Sequence, residues 1–221
     1  QDTVIVACGR SPIGKARKGS FAFTHPVDLA GETMKGLLQR VPQLPPEEID
    51  DILVGCAMTS GVQGNNLGRL IAIRAGLPDC VPGTTINRFC SSGLQAIAFG
   101  ANEIMAGQAD VVVAGGVESM SLVPMGKSGP ENQNKWLLEH RPGAYLPMGL
   151  TAENVAEKYG ITRQEMDQMA VESHTKAFQA QKSGAFDREI IPISITTENG
   201  DQITVTKDEG IRENPTLEAM G

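Results

Sequence analysis

The chain has 221 residues, of which 40% are hydrophobic and 20% charged, and a formal net charge of −7. That balance fits a folded protein of one large domain or two small ones and excludes a disordered chain. No apolar run approaches the ~20 residues needed to span a bilayer, and a net negative charge argues against nucleic acid as a partner, because phosphates must be met by clustered Lys and Arg.

Asp2 to Cys8 is β-branched and alternates little, which predicts a strand buried on both faces. Because structure begins at the first residues, no signal or transit peptide is expected. Arg10, Lys15, Arg17 and Lys18 cluster in the glycine-rich loop that follows and read as a solvated edge. Leu29, Ala30, Met34, Leu37 and Leu38 share one stripe, predicting a helix from about Val27 to Arg40 that ends before Pro42, Pro45 and Pro46. Asp51 to Ala57 reads as a strand, and Leu67 to Ala75 as a short helix stopped by Gly76 and Pro78. A β-prone run from Thr84 halts at Cys90. Leu94, Ile97, Ala98, Ala101, Ile104 and Met105 then recur at the spacing of a helix with a buried face. Asp110 to Ala114 is a further strand.

The character changes after Met120, dividing residues 1–120 from 121–221. Ser121 to Pro147 holds the only tryptophan, Trp136, and little periodicity, as expected of a functional segment or an oligomer contact. Leu150 to Tyr159 and Arg163 to Lys182 read as helices, the second opened by a capping box of Thr162 and Glu165. Glu189 to Thr197 and Gln202 to Thr206 read as a strand pair. Strands alternating with helices predict an α/β layer fold around a mainly parallel sheet, with a second α+β region after it.

Cys90 is the candidate of most chemical interest, because it falls where the strand stops and the helix begins. Unpaired N–H groups and the positive end of the helix dipole stabilise a thiolate there, and such a field draws a cysteine down from about 8.5 towards neutrality. Cys8 and Cys56 end apolar runs and read as buried thiols, and Cys80 lies in a turn. No cysteine pair has metal spacing, and a reducing compartment is expected. Gly9 to Ala16 is one residue short of a phosphate-binding loop but has Ala16 where Mg²⁺ would need a hydroxyl. His25, His140 and His174 are scattered and form neither a zinc motif nor a convincing base for Cys90. Glu47, Glu48, Asp50 and Asp51 read as solvated helix ends, and Gly115-Gly116 as a tight turn under the site.

Five segments taken together resemble the thiolase family, the acyl-CoA C-acyltransferases. Asn87-Arg88-Phe89-Cys90-Ser91-Ser92-Gly93 is similar to the family's nucleophile motif, and Val4 to Lys15 to its first strand and loop. Asp110 to Ser121 resembles the strand and turn after the nucleophile helix, and Met148 to Ala156 the opening of the loop domain. Asp208-Glu209-Gly210-Ile211-Arg212, with Thr216-Leu217-Glu218 after it, resembles the segment that closes that domain.

The resemblance implies a thiolase-like layered fold, with residues 1–120 as the N-terminal core half and 121–221 as the loop domain. It implies cleavage of 3-ketoacyl-CoA by CoA, or the reverse condensation, with Cys90 as the acyl-carrying nucleophile. Met148 would lie beside the acyl chain and Arg212 would contact the CoA nucleotide. Coenzyme A enters as a substrate, and no metal or redox cofactor is implied. A homodimer or homotetramer in the cytoplasm is expected, without nucleic acid or membrane. In the family the acid/base histidine, a partner asparagine and a second cysteine belong to a second half that these residues do not contain, so the chain alone is expected to be incomplete and inactive. The alternatives are a ketoacyl-synthase-like condensing enzyme, an inactive, truncated CoA-binding fragment and a structural dimerisation module.

Overall fold

A computed structural model describes residues 2–125, 130–197 and 199–221. It divides into two compact units, Gln1–Pro124 with Phe186–Gly210, and Met125–Ala185 with Ile211–Gly221.

The first unit is organised around a parallel sheet in which β1 (Asp51–Gly55) lies between β2 (Thr84–Ile86) and β3 (Val112–Gly116). Leu53 is opposite Thr84 on one side and Ala114 on the other. Alternation along β1 divides the layers. Ile52 and Val54 enter a core with Met34 of α1 (Pro26–Leu38) and Leu67 and Ile71 of α2 (Leu67–Arg74). Leu53 faces the other way, towards Gly100 of α3 (Ser92–Met105), which packs on β1 and β3. Because all three strands run the same way, Gly55, Ile86 and Gly116 end on one edge of the sheet, and that edge carries the site.

A hairpin of β4 (Ile193–Thr196) and β5 (Gln202–Val205) completes this unit. Its inner residues Ile193, Ile195 and Val205 join Phe21 and Ile191 against Leu29 and Leu37 of α1. The hairpin thus shares a compact unit with the sheet and not with the helices that precede it.

Two expectations about burial fail. Residues 2–8 form no strand, and Val4, Ile5, Val6 and Cys8 are exposed, against the reading of Cys8 as a buried thiol. Their β-branched side chains suit a sheet, but a strand needs a neighbour's ladder of hydrogen bonds, and within residues 2–10 only Arg10 makes a bridge, to Ile190. The apolar stripe of α3 also faces outward: Leu94 is 71% exposed, and Ile97 and Met105 are exposed too. The residues that α3 buries are Ser92, Ala96 and Gly100. Small side chains let the helix axis come close to the sheet, so the face read as the core side is the outer one.

The second unit holds α4 (Lys135–His140), α5 (Met148–Tyr159), α6 (Arg163–Lys182) and α7 (Leu217–Met220). The capping box of α6 is present, with the Thr162 hydroxyl accepting from the Glu165 N–H and the Glu165 carboxylate accepting from the Thr162 N–H. The segment read as irregular contains α4, whose Trp136 ring stacks on His140 at 4.6 Å between centroids. Positions 126–129 of that segment lie outside the described residues. No helix among the described residues is long and apolar enough to cross a membrane.

Candidate active site

Five residues, 87–91, connect the end of β2 to the start of α3, and their side chains tie the turn together. Asn87 Oδ1 accepts the Phe89 N–H at 2.9 Å, while Asn87 Nδ2 donates to the Ala57 carbonyl at 3.0 Å. Ser92 Oγ accepts the Arg88 N–H at 2.8 Å and donates to the Phe89 carbonyl at 2.6 Å. Ser91 Oγ donates to the Arg88 carbonyl at 3.0 Å. These bonds hold Phe89 at φ +46°, a left-handed conformation that costs a non-glycine residue about 1–3 kcal/mol. Cys90 follows, exposed, at the N-terminal end of a 14-residue helix. The first turn of such a helix leaves N–H groups without partners, and its dipole favours negative charge beside it.

Gly55 sets how near this helix start comes to the sheet. A Cβ on Gly55 would lie 2.3 Å from the Ser92 carbonyl carbon, and one on Gly116 would lie 3.0 Å from the Gly55 oxygen. Gly115 and Gly116 form no tight turn: both lie in β3, opposite Val54 and Gly55, and Gly116 gives clearance for the strand and helix ends.

Glu118, just past β3, braces the loop after β1. Its carboxylate accepts the Ala57 N–H at 2.7 Å, the Met58 N–H at 3.3 Å and the Gln63 Nε2 donor at 2.7 Å. Gln63 is fully buried, and its Oε1 accepts the Ser119 N–H. Cys56 Sγ lies 3.8 Å from Glu118. Burial, reinforced by the Glu118 charge, pushes the Cys56 thiol up to about 11, so it stays protonated and inert.

The loop that resembles a phosphate cradle is filled by the protein's own carboxylates. Asp208 accepts the Ile13 N–H at 2.8 Å, and Glu209 accepts the Lys15 N–H at 2.9 Å and the Ser20 hydroxyl at 2.5 Å. Arg10 is no solvated edge residue. It donates to Asp208 and Glu189 and lies 5.4 Å from the centre of the Phe186 ring. A cavity of about 450 Å³ opens beside this loop, lined by Gly14, Phe21, Met34, Leu37, Val113 and Gly115 among others; Cys90 does not line it.

Met148 and Arg212 belong to the second unit, and Cys90 to the first. Met148 opens α5 and is exposed. The Arg212 N–H donates to His174 Nδ1 at 3.2 Å, and its guanidinium donates to the Ala219 carbonyl at 3.1 Å. His174 is thus a partner for Arg212. His25 caps α1 by accepting the Val27 N–H, and His140 stacks on Trp136. Among the described residues no cluster of three or more His, Cys, Asp or Glu could hold a metal ion.

Sequence reasoning singled out Cys90 as a candidate but passed over the contacts of Asn87 and Glu118. An asparagine two residues before a large side chain, at a strand end, is a signal for a side-chain-bonded turn. For Glu118 there was no such signal, since its partners lie 55 or more residues away.

A parallel sheet whose strand ends deliver an exposed thiol to a helix start defines the class: an α/β protein with a cysteine presented at a strand-to-helix turn. The chain belongs to the thiolase family, whose model described as "Thiolase, N-terminal domain" matches residues 3–221. It is 43% identical over 228 residues to a 3-ketoacyl-CoA thiolase of Bacillus subtilis (strain 168), covering 100% of this chain and 58% of that protein. It is 42% identical to the peroxisomal 3-ketoacyl-CoA thiolase 2 of Arabidopsis thaliana, with 100% and 48% covered. The crystal structure of the Bacillus anthracis acetyl-CoA acetyltransferase superposes with a TM-score of 0.84 at 40% identity, covering 97% of this chain and 56% of that one. The chain spans about half the length of the curated relatives it matches.

Proposed function

We propose that Cys90 is the nucleophile of a CoA-dependent acyl transfer of the thiolase type. The thiolate attacks the 3-keto carbon of a 3-ketoacyl-CoA, and the bond between C2 and C3 breaks. Its electron pair leaves on the acetyl-CoA carbon and takes up a proton, while the acyl group stays on Cys90 as a thioester. The thiol of a second CoA, on losing its proton, attacks that thioester, releases the shortened acyl-CoA and restores the Cys90 thiolate. Covalent catalysis divides one hard carbon–carbon cleavage into two easier steps, and N–H groups at the start of α3 suit the developing oxyanion. The reverse sequence is a condensation. Met148 and Arg212 take the acyl chain and the CoA nucleotide in this reading, and no metal or redox group enters it.

One observation carries the proposal: an exposed cysteine held at the start of α3 by a side-chain-bonded turn, inside the thiolase-like motif. Four unpaired thiols suit a reducing compartment, and we place the protein in the cytoplasm. The outer edge of β2, unpaired among the described residues, with the segment from Ser121 to Pro147, is where this reading expects homodimer or homotetramer contacts, to be tested by light scattering at micromolar concentration.

Intact-mass measurement after incubation with a 3-ketoacyl-CoA tests the chemistry. An acyl adduct that maps to Cys90 and disappears in Cys90→Ser supports it; an adduct that survives the substitution defeats it. Steady turnover is a separate matter. General acid–base groups each contribute about 10²–10⁴-fold, and by family likeness two of them lie outside these residues. The 221 residues expressed alone are expected to give only trace thiolysis, read as CoA-dependent loss of the 3-ketoacyl-CoA absorbance.

A further inference from the structure

We propose that Asn87 is the positioning residue for Cys90, acting by holding Phe89 in its left-handed conformation; this inference rests on the reading of Cys90 as the nucleophile.

The carboxamide of Asn87 works in two directions at once. Its oxygen accepts the N–H of Phe89, the residue before Cys90, and its nitrogen donates to the carbonyl of Ala57 in the loop after β1. That loop is not free to follow Asn87, because Glu118 holds both Ala57 and Met58 by their N–H groups. The restraint therefore runs from Glu118 at the end of β3, through Ala57, to Asn87 and the Phe89 amide.

Phe89 is where such a restraint is needed. Its φ of +46° is a region that large side chains avoid, and the residue is 72% exposed, so core packing does not impose the conformation. Local hydrogen bonds must do so, and those to Phe89 are the Asn87 acceptor on its N–H and the Ser92 Oγ and main-chain N–H donors on its carbonyl. Without the first, Phe89 relaxes towards negative φ. The chain then enters α3 by another path, and Cys90 turns away from the helix start.

A glycine at position 89 adopts positive φ without help. The requirement for Asn87 should therefore disappear when Phe89 is replaced by glycine, an outcome that general stabilisation by Asn87 does not predict. The readout is the rate of Cys90 alkylation by iodoacetamide in the 221-residue chain, followed by peptide mapping, with the exposed Cys8 as an internal reference.

Asn87→Ala is expected to slow alkylation of Cys90 about five- to tenfold, as for loss of one ordering hydrogen bond, and to leave Cys8 unchanged. Asn87→Ala combined with Phe89→Gly is expected to restore the rate. Asn87→Asp, which keeps the acceptor for Phe89 and loses the donor to Ala57, is expected to fall between wild type and Asn87→Ala, and it serves if the alanine variant does not fold. An Asn87→Ala protein that reacts at the wild-type rate, or a double variant as slow as the single one, overturns the inference. A wild-type Cys90 that reacts no faster than Cys8 overturns the nucleophile reading itself and this inference with it.

Discussion

Arg10 and Asp208, 198 positions apart, meet in a two-pronged ion pair, with Nη1 2.6 Å from Oδ1 and Nη2 2.8 Å from Oδ2. The pair ties the entrance of the loop 10–20 to the segment just before the second unit resumes. Glu209 adds bonds to Lys15 and Ser20 farther along the same loop. Two carboxylates thus hold a glycine-rich segment that has no regular structure of its own.

The two acids make this hold sensitive to pH. Partial burial pushes the Asp208 carboxyl up, but Arg10 and the Ile13 N–H outweigh it and hold the group below its ordinary value. Glu209 is also held low, with burial opposing and the Ser20 hydroxyl and Lys15 N–H prevailing. A carboxyl with a depressed folded-state pKa stabilises the fold above its unfolded value of about 4 and loses that contribution as pH falls through the folded value. Stability of the first unit should therefore decline below about pH 4. Asp208→Asn should cost about 2 kcal/mol at pH 7 and flatten the acid decline. Denaturant unfolding at both pH values checks this, and equal stability of variant and wild type at pH 7 would mean that the pair contributes nothing.

The four cysteines should separate by reactivity. Cys90 at the helix start is expected to react with iodoacetamide first at neutral pH, with Cys8 and Cys80 slower. Cys56, buried and raised to about 11, should not react until the protein unfolds. Peptide mapping over time reads the order. If Cys8 or Cys80 leads, activation of Cys90 is refuted.

Gly55→Ala should be among the most damaging single-methyl changes in the chain. The added carbon would sit 2.3 Å from the Ser92 main chain, where no flexible side chain can yield. Overpacking of this kind costs about 1–3 kcal/mol, and here it also displaces the start of α3. A lowered thermal midpoint together with slower Cys90 alkylation is expected. A variant as stable as wild type would show that the helix start tolerates a shift.

Arg212→Ala is expected to weaken CoA binding by about 1–3 kcal/mol, the range for a charge-assisted contact. Calorimetry on the chain joined to its family's second half checks it, and unchanged affinity removes Arg212 from the nucleotide site.

Local patterns were legible wherever neighbours in sequence decide the outcome. The strand-to-helix change at Cys90, the capping box of Thr162 and Glu165, and the alternation that yields a parallel sheet all depend on residues within a few positions of one another. The same reading misjudged the stripe on α3. Periodicity shows that a helix has two faces, and only packing shows which of them meets the sheet. Here the small residues Ser92, Ala96 and Gly100 won that contact and Leu94 was left outside.

Residues 2–8 make the same point for strands: β-propensity describes a chain that suits a sheet, but a ladder needs a second chain segment beside it. By itself the sequence determined the family and the α/β class, and it singled out Cys90 as the candidate thiol. Only the tertiary structure decided that Asn87 reaches Ala57, that Glu118 braces the loop behind it and that Arg10 serves Asp208. Those contacts span 30, 61 and 198 positions, and a hydrogen bond between distant residues leaves no mark on the local pattern of either one.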